Sequence, residues 1–267
     1  MGTRVLNGAA LIALLCLPAL SPIAWAGPGQ AVEEPDVVQR YETADVYFLK
    51  AENYYLKQDF EACRTELDIC LGIMPEHSEA YYLLARIDAR QGLLRKALAH
   101  IQKAETYFDF AAKIRGQQQQ RLMAELQRLR DEQDDLLAGL HQDLARASDT
   151  TSRQIIRTRI QEAERIKASL NNRLLHPLSQ PNNIPADYHS FHADILARLG
   201  RVSEAEAQLR TAIETDPTGV EYYSRLTELY LSSGRPRKAL EVIDEAEAKG
   251  MAVEQKLKSE VLRALGK

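Results

Sequence analysis

Gly200-Arg201-Val202-Ser203-Glu204-Ala205, with Pro217 twelve residues after Ala205, is the stretch that decides the fold. A hinge glycine leads into a helix carrying Ala205, Leu209 and Ala212 on one face, and a proline stops it. The pattern returns 34 residues later as Gly234, Ala239, Ile243 and Ala246. It also stands twice near the front of the chain at the same spacing. There Cys63, Leu67, Cys70 and Pro75 are followed by Gly92, Ala97, Ile101 and Ala104. A fixed period of this length marks stacked helical hairpins, each too small to bury its own apolar face.

Within each unit the first helix carries an aromatic residue or His, then a small or short residue four positions later. The pairs are Tyr47 and Ala51, Tyr81 and Ala85, His189 and Ala193, Tyr223 and Thr227. Small side chains at such points let helices of one hairpin, and of neighbouring hairpins, approach closely. Together these residues resemble the tetratricopeptide repeat, with units 44–77, 78–111, 186–219 and 220–253. The chain departs from the family pattern at Lys50 and His192, where Leu is preferred, and at Asp109 and Met251, where Pro is preferred. The resemblance implies an all-α fold, a tetratricopeptide-type superhelix of helical hairpins. Residues 254–267, with Leu257, Val261, Leu262 and Leu265 among Lys, Glu and Arg, suit a helix that caps the last repeat.

A different texture lies between the two repeat pairs. From Gln117 to Leu144 the sequence is rich in Gln, Leu and charge, with no proline. Leu122, Leu126, Leu129, Leu136 and Leu140, with Gln133 in the gap, space as a coiled-coil seam. Residues 147–152 read as a turn and N-cap. A second helix follows with Ile156, Ile160, Ala163, Ile166, Leu170 and Leu174 on one face, ending before Pro177. The expectation is a long antiparallel helical hairpin within 112–185. It reads either as one overgrown repeat beginning at Ala112 inside a continuous superhelix, or as a connector hinged at 178–185 between two repeat domains.

At the N-terminus, Arg4, the apolar run Leu11–Leu17 and Ala24-Trp25-Ala26 match a secretory signal peptide over residues 1–26. Residues 27–43 read as a flexible leader. An exported chain is expected, periplasmic in a Gram-negative source, with no membrane span after cleavage. The net charge of −4 becomes −5 once Arg4 leaves, which argues against nucleic acid as a main partner. Cys63 and Cys70 lie seven apart on one helix, about 10.5 Å along its axis, too far for a mutual disulfide. They fill the positions of Ala97 and Ala104, as buried small residues.

No enzyme motif is present: no phosphate-binding glycine loop, Gly-x-Ser-x-Gly elbow, Cys-x-x-Cys or His-Glu-x-x-His. His189 and His192, with Asp187 and Asp194 nearby, share a helix face. Both fall at inward-packing repeat positions, and no spacing fixes a third metal ligand. No catalytic residue, metal or cofactor is expected. The resemblance implies a concave groove lined by the first helix of each unit. Carried onto this sequence, it gives Asp45, Phe48, Glu52, Tyr55 and Leu56, then Glu79, Tyr82, Arg86, Ala89 and Arg90. The rear pair gives Asp187, Ser190, Asp194, Ala197 and Arg198, then Glu221, Ser224, Glu228, Leu231 and Ser232. Phe48, Glu52, Tyr55, Tyr82, Arg86 and Arg90 form the candidate protein-binding site, because aromatic and Arg side chains most often anchor interfaces. The alternative for Phe48 and Tyr55 is that they cover the leader or a neighbouring helix. The function expected is a non-catalytic exported scaffold that binds a protein partner through groove and hairpin. A structural protein that self-associates through the hairpin is the competing class.

Overall fold

Short first helices with left-handed hinges set the rhythm of the structure, a computed structural model that describes residues 36–175 and 183–266. The expected signal peptide and residues 27–35 of the leader lie outside the described residues, as does most of the 178–185 connector. Ten helices and no strand occur among the described residues. They are α1 (Val37–Leu56), α2 (Phe60–Ile73), α3 (Ser78–Arg90), α4 (Leu94–Arg146) and α5 (Thr150–Leu175). The rear of the chain adds α6 (Ala186–Arg198), α7 (Val202–Thr215), α8 (Val220–Ser232), α9 (Pro236–Ala248) and α10 (Gln255–Ala264). The fold is a tetratricopeptide-type stack of hairpins with a long antiparallel helical hairpin in its middle.

Each repeat turns from its first helix to its second through one residue at positive φ. Gly92, Gly200 and Gly234 sit at +76°, +76° and +71°, and the equivalent place in the first repeat holds Gln58 at +61°. That conformation crowds a Cβ, so three repeats use glycine and the first carries the strain. The second helices then bury their small residues completely. Cys63, Cys70, Ala97, Ala104, Ala205, Ala212, Ala239 and Ala246 are all at 0% exposure. The two cysteines are free thiols, and burial pushes Cys63 up to about 11 and Cys70 to about 12.

The second helix of the second repeat does not end with its unit. α4 runs 53 residues, about 80 Å, so the hairpin has no beginning at Ala112; it grows directly out of the repeat. Asp109 explains this. α2 and α7 stop two residues before Pro75 and Pro217, where the ring forbids the helical hydrogen bond and restrains the preceding residue. Asp109 occupies the same repeat position and keeps its N–H, so the ladder continues. α1 lengthens to match. It starts at Val37, seven residues ahead of the expected repeat boundary, capped by Asp36 Oδ1 accepting from Val38 N–H at 3.3 Å. The added turns place Val38 and Tyr41, each 1% exposed, in one cluster with Ala111 and Ile114 of the prolonged α4. Arg115 pairs with Glu79 and donates to Tyr41 Oη at 3.2 Å, and Arg121 pairs with Asp36 at 2.6 Å.

α5 returns along α4 after a turn in which Asp149 Oδ1 accepts from Ser152 N–H at 2.7 Å. Leu126, Leu140, Ile160, Ala163 and Leu170 are buried between the two helices. Leu122 and Leu136 were expected in the seam but stand 45% and 40% exposed, as does Ile166 at 41%. Lys167 takes the inward position beside Ile166 and pairs with Asp134 of α4. A lone two-helix pair buries only one narrow stripe per helix, so part of a broader apolar face stays in water. The return delivers α6 against the base of α4. One core cluster then runs from Ala85 and Ala97 through Phe108 and Tyr188 to Val261, so the rear repeats continue the stack of the front ones. α10 closes the far end with Leu257 and Val261. No helix among the described residues is long and apolar enough to cross a membrane.

Candidate functional site

Two first helices, α1 and α3, supply the front of the groove. Helical spacing from Phe48 through Glu52 to Tyr55 carries one line of side chains along α1, and Tyr82, Arg86 and Arg90 form the facing line on α3. Arg86 and Arg90 converge on the Tyr55 ring, with guanidinium carbons 4.8 and 4.9 Å from its centroid. Tyr55 is therefore the floor of the site, 6% exposed, and not a side chain standing free in the groove. Its other neighbour is Phe60, 5.9 Å away at the start of α2. Of the alternatives for Tyr55, the one in which it lies against a neighbouring helix takes this form: its ring meets α3 through these two arginines.

Arg86 is shared, since its guanidinium also stands 5.8 Å from the Tyr82 ring. Neither Arg86 nor Arg90 has an ion-pair partner among the described residues, whereas most other arginines of the repeats have one. Glu52 is the nearest acidic influence. Crowding in the concave wall raises its carboxyl above the usual range, against the pull of Arg86. The ring contact restrains the two guanidinium groups, and neither donates a side-chain hydrogen bond among the described residues, an arrangement suited to accepting a carboxylate.

Phe48 leans on His77, with centroids 5.1 Å apart, and Tyr41 stacks on the same imidazole at 4.8 Å and 7°. His77 is fully buried and caps α3: its Nδ1 accepts from Ala80 N–H at 3.2 Å. That bond leaves Nε2 to carry the proton and donate to Asp45 Oδ1 at 3.0 Å. Phe48 and Asp45, two expected groove positions, are thereby fixed by a histidine that the repeat pattern alone did not mark.

Tyr82 is placed differently from expectation. Its ring stacks face to face on Tyr188 of α6, centroids 3.9 Å apart and planes 3° from parallel, with Phe191 edge-on at 5.7 Å. Tyr82 is half-buried and helps join the second repeat to the third. Burial raises its phenol, as it does for Tyr188. Its partner Tyr188 falls outside the groove positions, and the repeat pattern does not mark the pair.

In the rear groove Asp187, Asp194 and Arg198 are already matched. Arg225 pairs with Asp194, whose carboxyl burial raises despite that arginine, and Arg198 donates to the Ala89 carbonyl at 3.1 Å. Asp187 accepts from Tyr222 Oη at 2.9 Å. The two histidines turn inward to Glu105 of α4: Nδ1 of His192 is 2.9 Å and Nδ1 of His189 3.7 Å from Oε1. His189 also meets Gln208 Oε1 at 2.8 Å. The contacts to Glu105 bind the third repeat to the second. No group of three His, Cys, Asp or Glu able to hold a metal occurs among the described residues.

The family model described as "Tetratricopeptide repeat" matches residues 186–211. No curated protein matches the chain. Among solved structures, it is similar to a thermophilic tetratricopeptide-repeat protein of Thermus thermophilus, with 23% identity, 83% of this chain and 98% of that one covered, and a TM-score of 0.31. It is also similar to PilW, a type IV pilus biogenesis factor, with 15% identity, 84% and 87% coverage, and a TM-score of 0.38. A third is YrrB, a tetratricopeptide-repeat protein with an unusual peptide-binding site, at 15% identity, 86% and 100% coverage, and a TM-score of 0.30.

Proposed function

We propose that this chain, a protein-interaction scaffold of the tetratricopeptide-repeat type, captures an acidic segment of a partner protein in its front groove. One observation carries the reading: Arg86 and Arg90 are stacked on Tyr55 and lack an ion-pair partner among the described residues. A guanidinium edge recognises a carboxylate through two parallel N–H bonds. Holding it against an aromatic ring beforehand lowers the ordering cost that binding would otherwise bear. Phe48, restrained by His77, supplies an apolar neighbour for the same segment. No step of bond making is required of the site, and the role is non-catalytic. The leader pattern in residues 1–26 supports an exported scaffold, periplasmic in a Gram-negative source, acting in envelope assembly or secretion.

The test is fluorescence anisotropy with an Asp/Glu-rich peptide and its Asn/Gln counterpart. The acidic peptide binds, the amide peptide does not, and Arg86→Ala with Arg90→Ala costs about thirtyfold, equivalent to roughly 2 kcal/mol at an interface anchor. Glu221→Ala with Glu228→Ala, on the exposed rear wall, is the control and leaves binding unchanged. Equal binding of the two peptides, or no loss with both arginines removed and folding intact, overturns the reading. A second reading, self-association through the hairpin, is favoured by the exposed Leu122, Leu136 and Ile166. Leu136→Glu with Ile166→Glu would then dissociate an oligomer that the groove substitutions leave intact.

A further inference from the structure

α1 carries a second apolar stripe, on the side away from the core. At about 100° per residue, Glu42, Val46, Leu49, Asn53 and Leu56 fall within about 80° of one another, in alternating steps of four and three. Val46 is 51%, Leu49 60% and Leu56 80% exposed. The repeat period identifies this stripe. One period on, the places of Val46, Leu49 and Asn53 are held by Ala80, Leu83 and Ile87, at 0, 4 and 0% exposure. In the third repeat they are Tyr188, Phe191 and Ile195, and in the fourth Tyr222, Arg225 and Leu229, all buried or half-buried. These positions are where each first helix packs on the repeat before it. The first repeat has the residues for that contact and no described repeat to make it.

We propose that this face is a self-association surface through which two copies of the chain pair head to head. Three observations select a second copy in this arrangement. A stack of repeats needs its ends covered, and the far end is already covered by α10 with Leu257 and Val261. A head-to-tail contact therefore lacks a matching face, and an isologous pair buries the same stripe on both copies. The charges agree with an antiparallel crossing. Glu42 lies at the front of the stripe and Lys57 just past its end, both exposed and neither in an ion pair among the described residues. A two-fold axis passing beside Leu49 sets that side chain near its own copy, and brings Glu42 near the partner's Lys57 twice. The spacing agrees as well, since alternating steps of four and three keep one continuous stripe along a helix pair. Leu56 stands at the groove position that Arg90 holds one period on, so the stripe borders the groove there, while Arg86 and Arg90 themselves lie off it.

Sedimentation equilibrium of the purified full chain tests the pairing. The chain is expected to be dimeric, and Leu49→Glu with Leu56→Glu to weaken the dimer at least about tenfold without loss of helical circular dichroism, because both side chains are exposed. Glu42→Lys alone also weakens it, by placing Lys beside the partner's Lys57. Glu42→Lys combined with Lys57→Glu restores it, which a merely structural effect of either substitution would not do. A monomeric chain overturns the proposal; that is the result if residues ahead of Asp36 or another protein cover the stripe. A dimer indifferent to Leu49→Glu and Leu56→Glu overturns it too, and places the contact elsewhere.

Discussion

The front and rear repeat pairs share one register and differ in what their grooves have left to offer. In the rear pair Arg225 is neutralised by Asp194, Arg198 is tied to the Ala89 carbonyl, and Asp187 is held by Tyr222. In the front pair Arg86 and Arg90 rest on an aromatic floor. Groove position therefore does not by itself make a binding residue. A charged side chain already matched by a neighbour has little to gain from a partner, whereas a stacked and unmatched one is ordered in advance. The second helices differ as sharply. α7 and α9 are short, while α4 has the same buried small residues but runs on as the hairpin.

The largest expected effect comes from breaking that last difference. Asp109→Pro restores the residue that ends α2 and α7 at the equivalent place, but here within a helix. It should cost about 3 kcal/mol or more by removing a hydrogen bond and clashing with the preceding turn. Denaturant unfolding reads the loss. If stability were unchanged, α4 would not be continuous through Asp109.

The junction between the two pairs offers the next largest effect. Tyr82→Leu keeps apolar bulk but removes the stack on Tyr188, and should lower stability by about 1 kcal/mol, within the range measured for aromatic pairs. Tyr222, stacked on no aromatic ring among those described, donates to Asp187, so Tyr222→Leu removes a hydrogen bond where Tyr82→Leu removes a stack. Double-mutant analysis of Tyr82→Leu with Tyr188→Leu should show the two losses to be non-additive, and additive losses would remove the stack as the link between front and rear.

The smallest effect sharpens the comparison among hinges. Gln58 holds the left-handed conformation that glycine holds in the other three repeats. Gln58→Gly should raise thermal stability by roughly 1 kcal/mol or somewhat less, because relief of the Cβ strain is partly offset by the freedom glycine gains in the unfolded chain. A fall in the midpoint temperature would mean that the Gln58 side chain makes a contribution larger than its strain.

Much of this could be read from the residues. The buried line of Cys63, Leu67 and Cys70, and its echoes at Ala97, Ala205 and Ala239, follows from period and size alone. Asp109 in a proline position already contains the continuity of α4, although the repeat length alone puts a boundary at Ala112. The early start of α1 is also written, in Asp36 and the spacing of Val38, Tyr41 and Ala44, but the prolonged α4 is needed to give those residues something to cover. The candidate site divided. Arg86 and Arg90 meet over the Tyr55 ring, which is buried beneath them, while Tyr82 is a junction residue.

By itself the sequence determined the repeat register, the hinges, the buried small residues and the all-α class, because each depends on local backbone preference and on side-chain size at a fixed spacing. Only the tertiary structure decided which polar groups are already matched. It paired Asp194 with Arg225, set His189 and His192 against Glu105, laid Tyr82 on Tyr188, and left Arg86, Arg90 and the outer stripe of α1 without such partners among the described residues. Those outcomes depend on distances between residues from different repeats, which a periodic sequence states identically for every unit and which only packing makes unequal.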